Sequence, residues 1–195
     1  MHIRTLTGSL ATVLVMSFPL LWGGRAVAAP SGAPEQASAA RLLIYDASGS
    51  AEFRSAVDRG ATIWNESVDA VELRPAASGQ RANIRVLADN GWPRALPTTL
   101  GNGTVYIGRQ AVNQGYDTIR ISAHELGHIL GLPDRKPGPC SSLMSGSSAG
   151  TACTNRHPNA AEKAEVEDNF AGALSGATEQ TEQAGTVPRA VLIRD

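Results

Sequence analysis

The sequence predicts an α/β (α+β) domain in which a mixed set of short strands combines with three helices. Three observations carry that expectation. An aliphatic run is followed at once by a segment of helical period; three further β-branched or aliphatic runs are separated by turn residues; and two later segments repeat their apolar residues at helical spacing.

Taken in order, Leu42-Leu43-Ile44-Tyr45 reads as a buried strand. Beyond the turn at 46–50, Phe53, Val57, Ala61 and Trp64 recur on one stripe, so residues 51–66 are expected to form an amphipathic helix. Residues 71–74, 83–88 and 104–107 read as strands, separated by turn chemistry such as Ala77-Ser78-Gly79 and Gly101-Asn102-Gly103. Across residues 116–130, Ile119, Ala123, Leu126 and Leu130 share a face, and Gly131 stands just past the end, which defines a second helix. Asn159 opens a third helix running to Phe170, with Glu162 three residues later as in a capping box.

The flanks have a different character. Residues 1–28 carry Arg4, an apolar run from Leu6 to Trp22 broken by Gly8, Ser9 and Pro19, and the small triplet Ala26-Val27-Ala28, which is the layout of a cleaved secretory signal peptide. Residues 29–40 are rich in Pro, Ala and Ser and read as a short pro-segment or linker; 41–172 is the expected catalytic domain. Residues 173–195 lack a periodic apolar face and read as a flexible extension, apart from the brief Val191-Leu192-Ile193. No other stretch is long and apolar enough to span a bilayer. Losing the signal takes away Arg4 and Arg25 and no acid, moving the formal charge from -1 to -3, so neither nucleic acid nor an anionic membrane is an expected partner. In an oxidising compartment the only two cysteines, Cys140 and Cys153, are expected to form one disulfide closing a small loop.

The segment His124-Glu125-Leu126-Gly127-His128 carries the chemistry. Histidines four apart on a helix project from one face with Cβ atoms about 5–6 Å apart, close enough for one zinc ion to join them. Glu125 is rotated by about 100° from His124, within reach of a water at the metal but turned away from it, as a general base requires. A catalytic zinc needs a third protein ligand. Either a residue six positions after the second histidine returns to the metal, which is Asp134, or a glutamate of a later helix completes the site, with Glu162, Glu165 and Glu167 as candidates. The longer run decides for Asp134: Gly131 allows a reversal and Pro133 forbids continued helix. Leu143-Met144-Ser145-Gly146 fits the methionine turn that supports the metal from below in metzincins.

These residues resemble the snapalysin family, small secreted neutral zinc proteases of Streptomyces-type bacteria. The resemblance spans about 41–172 and rests on Tyr45-Asp46-Ala47-Ser48-Gly49, Phe53-Arg54-Ser55, Ile63-Trp64-Asn65, Gln114-Gly115-Tyr116-Asp117, the zinc run, Gly138-Pro139-Cys140, Leu143-Met144-Ser145-Gly146 and Cys153-Thr154-Asn155. It implies a metzincin-like zincin: a twisted, mostly parallel sheet with an antiparallel edge strand, an active-site helix and a C-terminal helix. It also implies an aspartate as third zinc ligand, a Cys140–Cys153 bridge, calcium at Asp117 and the Ile119 carbonyl, and an aromatic residue just after the scissile bond. For Asp117 a helix N-cap is the alternative role. Where the family places a tyrosine, two residues past the aspartate, this chain has Lys136, either a positive charge for a developing oxyanion or a solvated side chain.

The function expected is hydrolysis of protein or peptide substrates by a secreted monomer, with residues 104–107 as the strand along which an extended substrate would pair. Two rivals share the motif: a zinc amidase acting on a small substrate, and a zinc-bearing binding module without turnover.

Overall fold

A computed structural model describes residues 39–183, with side chains through Ala171. The expected signal peptide, most of the pro-segment and the Val191–Ile193 triplet lie outside the described residues. The chain runs β1 (Arg41–Gly49), a 3-10 turn (Ala51–Phe53), α1 (Arg54–Asn65), β2 (Val71–Pro75), β3 (Ile84–Asp89), β4 (Arg94–Thr99), β5 (Asn102–Gly108), α2 (Arg109–Asn113), α3 (Thr118–Ile129), a 3-10 segment (Leu143–Ala149) and α4 (Ala160–Gln183).

The five strands form one mixed sheet in the order β2-β1-β3-β5-β4. The first four are parallel, and β4 joins β5 antiparallel at the edge. At period two, Leu43, Tyr45, Val71, Leu73, Ile84, Val86, Val105 and Ile107 turn into one core, as expected of strands with a single face buried under helices. That core is completed by Val57, Ala61 and Trp64 of α1 and by Ala123, Leu126 and Ile129 of α3. Each Val, Leu or Ile among them, fully withdrawn from water, contributes about 1.5–3 kcal/mol before the entropy of ordering it is counted. Trp64 is wholly buried, and its indole N–H donates to the Ala123 carbonyl at 2.8 Å, which ties α1 to α3 immediately before His124.

Three features depart from the sequence expectation. Strand β4 is unannounced by its own residues, because Pro93 and Pro97 argue against a strand; at the sheet edge a residue without an N–H costs no ladder bond. As a consequence residues 104–107 are not the edge: β5 is interior, paired on both sides, and the exposed rim is β4. Finally, α4 continues to Gln183, beyond the expected end near Phe170. The added stretch contains Ala, Glu and Gln, which favour a helix, but also Gly172 and Gly176, which is why its sequence does not announce a continued helix.

Candidate metal centre

Helix α3 begins at Asp117, whose side chain accepts the Arg120 N–H at 2.8 Å as an N-cap. One turn further on, its buried face carries His124 and Glu125, which are 6% and 4% exposed. The helix ends in a Schellman turn: Leu132 N–H donates to Gly127 O at 3.0 Å and Gly131 N–H to His128 O at 3.1 Å, with Gly131 at φ 95°, a conformation that favours glycine. The chain reverses there, and Pro133 leads into Asp134.

Three donor atoms converge as a result. His124 Nε2 and His128 Nε2 lie 3.2 Å apart, and Asp134 Oδ1 is 3.3 Å from the first and 3.5 Å from the second. Each imidazole Nδ1 faces a backbone carbonyl, Leu143 O at 3.0 Å and Leu132 O at 2.8 Å. A carbonyl can only accept, so Nδ1 carries the hydrogen and the Nε2 lone pairs face each other. A tetrahedral zinc with metal–ligand bonds of about 2.0–2.1 Å would separate its ligand atoms by about 3.3–3.4 Å. The triangle fits that ion.

The charges around the triangle are tuned by their neighbours. The neighbouring His124 and then the hydrogen bond from Lys136 hold the Asp134 carboxyl well below the usual carboxylate range. Burial, and then the adjacent His124, lower His128. Burial pushes the Glu125 carboxyl up to about 7, and its Oε2 is the buried side-chain polar atom without a hydrogen-bond partner among the described residues. Glu125 also has a ligand atom within 4.8 Å of those of both histidines. Lys136 is ion-paired rather than merely solvated, its Nζ standing 2.9 Å from Asp134 Oδ2.

The supports of the site come from far along the chain. Met144 is fully buried under α3; a Cβ on Gly127 would lie 2.8 Å from its Sδ, so the glycine between the two histidines is what admits the methionine. The Met144 carbonyl accepts Arg135 N–H at 2.8 Å, and the Arg135 side chain pairs with Glu165. Cys140 and Cys153 are bridged, closing the loop that precedes and follows this turn.

The glutamates weighed as alternative ligands are all committed elsewhere on α4. Glu162 binds the Ser142–Met144 segment, Glu165 pairs with Arg135, and Glu167 accepts the N–H groups of Asp69 and Ala70. Asp117 is likewise engaged. Arg156 Nε lies 2.9 Å from its Oδ1 and Nη2 2.6 Å from its Oδ2, so a guanidinium holds the carboxylate on which calcium was expected. Ile119 sits in the first turn of α3. Neither Arg156 nor the buried Arg120 carries a local signal in the sequence, since their partners lie 39 and about 22–35 residues away.

Two clefts meet at Glu125. One is walled by Trp92, Tyr116, Ile121 and Gly146, and the Trp92 and Tyr116 rings pack edge to face at 5.9 Å. The other runs under Arg94, Ala95 and Pro97 of β4 and past His128 and Asp134.

Comparison with known proteins places this architecture. An extracellular small neutral protease of Streptomyces sp. (strain C5) is 40% identical over 161 residues, covering 80% of this chain and 70% of that one. The protein of the same description from Streptomyces lividans is 41% identical over 166 residues, covering 82% and 71%. Among solved structures, archaemetzincin from Methanopyrus kandleri superposes with a TM-score of 0.46 at 14% identity, over 70% of this chain and 98% of that one. The profile of one family matches residues 40–173, which takes in every strand, α3 and the whole histidine–aspartate triangle: the chain belongs to the Streptomyces extracellular neutral proteinase (M7) family.

Proposed function

We propose that this protein is a secreted zinc endopeptidase in which His124, His128 and Asp134 hold the metal and Glu125 is the general base. One observation carries the assignment: three donor atoms 3.2–3.5 Å apart, beside a buried carboxylate oxygen that has no partner of its own. A zinc ion held there supplies Lewis acidity toward the scissile carbonyl and acidifies the attacking water. Glu125 takes a proton from that water as its oxygen adds to the carbonyl carbon. The same carboxylic acid then delivers the proton to the departing amine nitrogen, so the C–N bond breaks without an amide anion leaving. Lys136, paired to Asp134 Oδ2, keeps the other carboxylate oxygen turned toward the imidazoles.

Substrates are proteins or peptides, and the two clefts on either side of Glu125 support an extended chain over a small amide. Strand β4 offers a free edge above one cleft for backbone pairing, the role first expected of residues 104–107. The aromatic pair Trp92–Tyr116 beside the other favours an aromatic side chain just after the scissile bond, because edge-to-face contact rewards a third ring. Calcium is left out of the proposal: an ion at Asp117 would have to displace the Arg156 guanidinium.

The test is metal content and casein hydrolysis of the mature protein beside Glu125→Gln. Wild type should carry one zinc and cleave casein, and the variant should keep zinc while losing about 10²–10⁴-fold in kcat. Equal activity in both would defeat the assigned base. Zinc without hydrolysis in the wild type would favour the binding module instead.

A further inference from the structure

We propose that Glu162 is a positioning residue for His124, acting on the imidazole through the single peptide group that joins Leu143 to Met144. The inference rests on His124 being a metal ligand. Glu162 is 0% exposed and stands on α4, far in sequence from the histidines. Its carboxylate is saturated. Oε1 accepts the Ser142 hydroxyl at 2.6 Å and Met144 N–H at 2.9 Å, while Oε2 accepts Leu143 N–H at 3.1 Å and Asn159 N–H at 2.8 Å. Four donors on four lone-pair sites leave nothing over.

One of those donors belongs to the metal site. Met144 N–H and Leu143 C=O are the two ends of one peptide group, and the C=O end accepts the His124 Nδ1–H at 3.0 Å. A carboxylate drawing on the N–H end polarises the peptide and makes its oxygen the stronger acceptor. The imidazole is then held in the tautomer that presents Nε2 to the metal, with its donor strength raised. Metal-bound histidines ordinarily achieve this with a direct carboxylate or a plain carbonyl. Here a carboxylate works at one remove.

The opposite edge of the same segment is gripped by a cation. Arg120, 5% exposed and one turn before His124 on α3, donates through Nη2 to Ser142 O at 2.8 Å, to Leu143 O at 3.3 Å and to Ser145 Oγ at 2.9 Å. Anion on the amides and cation on the carbonyls fix residues 142–145 and balance each other's buried charge. His128 has no such arrangement: its Nδ1 faces Leu132 O in the Schellman turn. The device therefore acts on one imidazole of the two.

That asymmetry supplies the test. In Glu162→Gln the amide NH₂ must face two of the four donors, so in either orientation it opposes one of the Leu143 and Met144 N–H groups, and the negative charge that polarises the peptide is gone. Zinc affinity measured by chelator competition should fall about 10–100-fold. In spectra of the zinc-loaded protein the His124 Nδ1–H resonance should move upfield and exchange faster, while that of His128 stays in place. Glu167→Gln is the control, since it removes a backbone-capping carboxylate from the same helix away from the site; it should leave affinity and both resonances unchanged. If Glu162→Gln fails to fold, Glu162→Asp retains the charge, withdraws it by one methylene, and should shift both readouts in the same direction. An unchanged His124 signal with zinc affinity within about twofold of wild type overturns the relay. His124→Ala separates the two levels: zinc binding untouched by that change would defeat the ligand assignment itself, whereas zinc binding lost there and kept in the Glu162 variants defeats only the relay.

Discussion

Gly131→Ala isolates the turn that returns Asp134 to the histidines. At φ 95° an alanine meets the steric penalty of the left-handed region, about 1–2 kcal/mol. Its Cβ would also lie 2.6 Å from Asn169 Nδ2, the atom that donates to Leu130 O at 3.1 Å, so that bond is displaced at a further cost of about 0.5–1.5 kcal/mol. Together these give a loss of about 1.5–3.5 kcal/mol, or roughly 5–18 °C in Tm for a domain of this size. The two contributions separate in a double-mutant cycle. In an Asn169→Ala background the clash with Asn169 is gone, and Gly131→Ala should cost the backbone part and whatever the 3.1 Å approach to Leu100 Cδ1 adds, leaving a coupling of about 0.5–1.5 kcal/mol to Asn169. Thermal melts of the zinc-free proteins read the cycle, and zinc competition reads whether Asp134 has moved. Gly131→Ala as stable as wild type would refute the strained turn, and additive costs would refute the clash with Asn169.

Three further outcomes follow from the geometry. Lys136→Met removes the partner of Asp134 Oδ2; because that pair is half exposed, zinc affinity should fall only a few-fold, and a kcat loss beyond about tenfold would instead show the lysine acting on the reacting carbonyl. For Asp117 and Glu162 burial opposes the charge, but Arg156 and the Arg120 N–H for the first, and Ser142 with three backbone N–H groups for the second, hold both carboxyls below their ordinary range. A lowered folded pKa means stability that is fully present above the unfolded value of about 4 and lost as pH falls through the folded one. These two carboxyls should therefore add a loss of stability to melts of the zinc-free protein below about pH 4, separate from what Glu125 and His128 contribute at higher pH, and Arg156→Gln should flatten that acid limb; an unchanged acid limb counts against the Asp117 pair. Replacing both bridged cysteines by serine opens a loop of sequence separation 13 and should cost about 3 kcal/mol by denaturant titration.

Much of the fold is legible because its signals are local. The apolar run Leu42–Tyr45 and the stripe Val57, Ala61 and Trp64 each record burial within a few residues, and β1 and α1 form where those patterns lie. Strand β4 shows where local reading stops. Its prolines speak against a strand in isolation, and only the neighbouring β5 with an open edge makes the segment a rim. Choosing 104–107 as the edge follows the same logic: strand propensity marks a strand and carries no information on its place in the sheet order.

The proposed metal triangle divides along the same line. His124 and His128 are legible from a period of four, and Asp134 from the glycine and proline that bracket its turn, since reversal of the chain is itself a local property. His128 and Asp134 have near neighbours as partners, Leu132 O and Lys136, but what steadies the surroundings of the site is not local. Arg156 reaches Asp117 across 39 residues and Glu162 reaches Ser142 across 20, and each is a charged residue with nothing in its own neighbourhood to distinguish it from a solvated one. At the level of sequence Glu162 is a helix-capping residue, and the structure keeps that role, for its Oε2 accepts Asn159 N–H. The same carboxylate serves the methionine turn only because α4 folds back over residues 142–144. A capping glutamate on the surface can be exchanged for glutamine at the cost of a few tenths of a kcal/mol to about one. Four buried donors on Glu162 make the same exchange a change in how tightly a metal is held, and that difference is the measurable sign that a local motif has been given a long-range task.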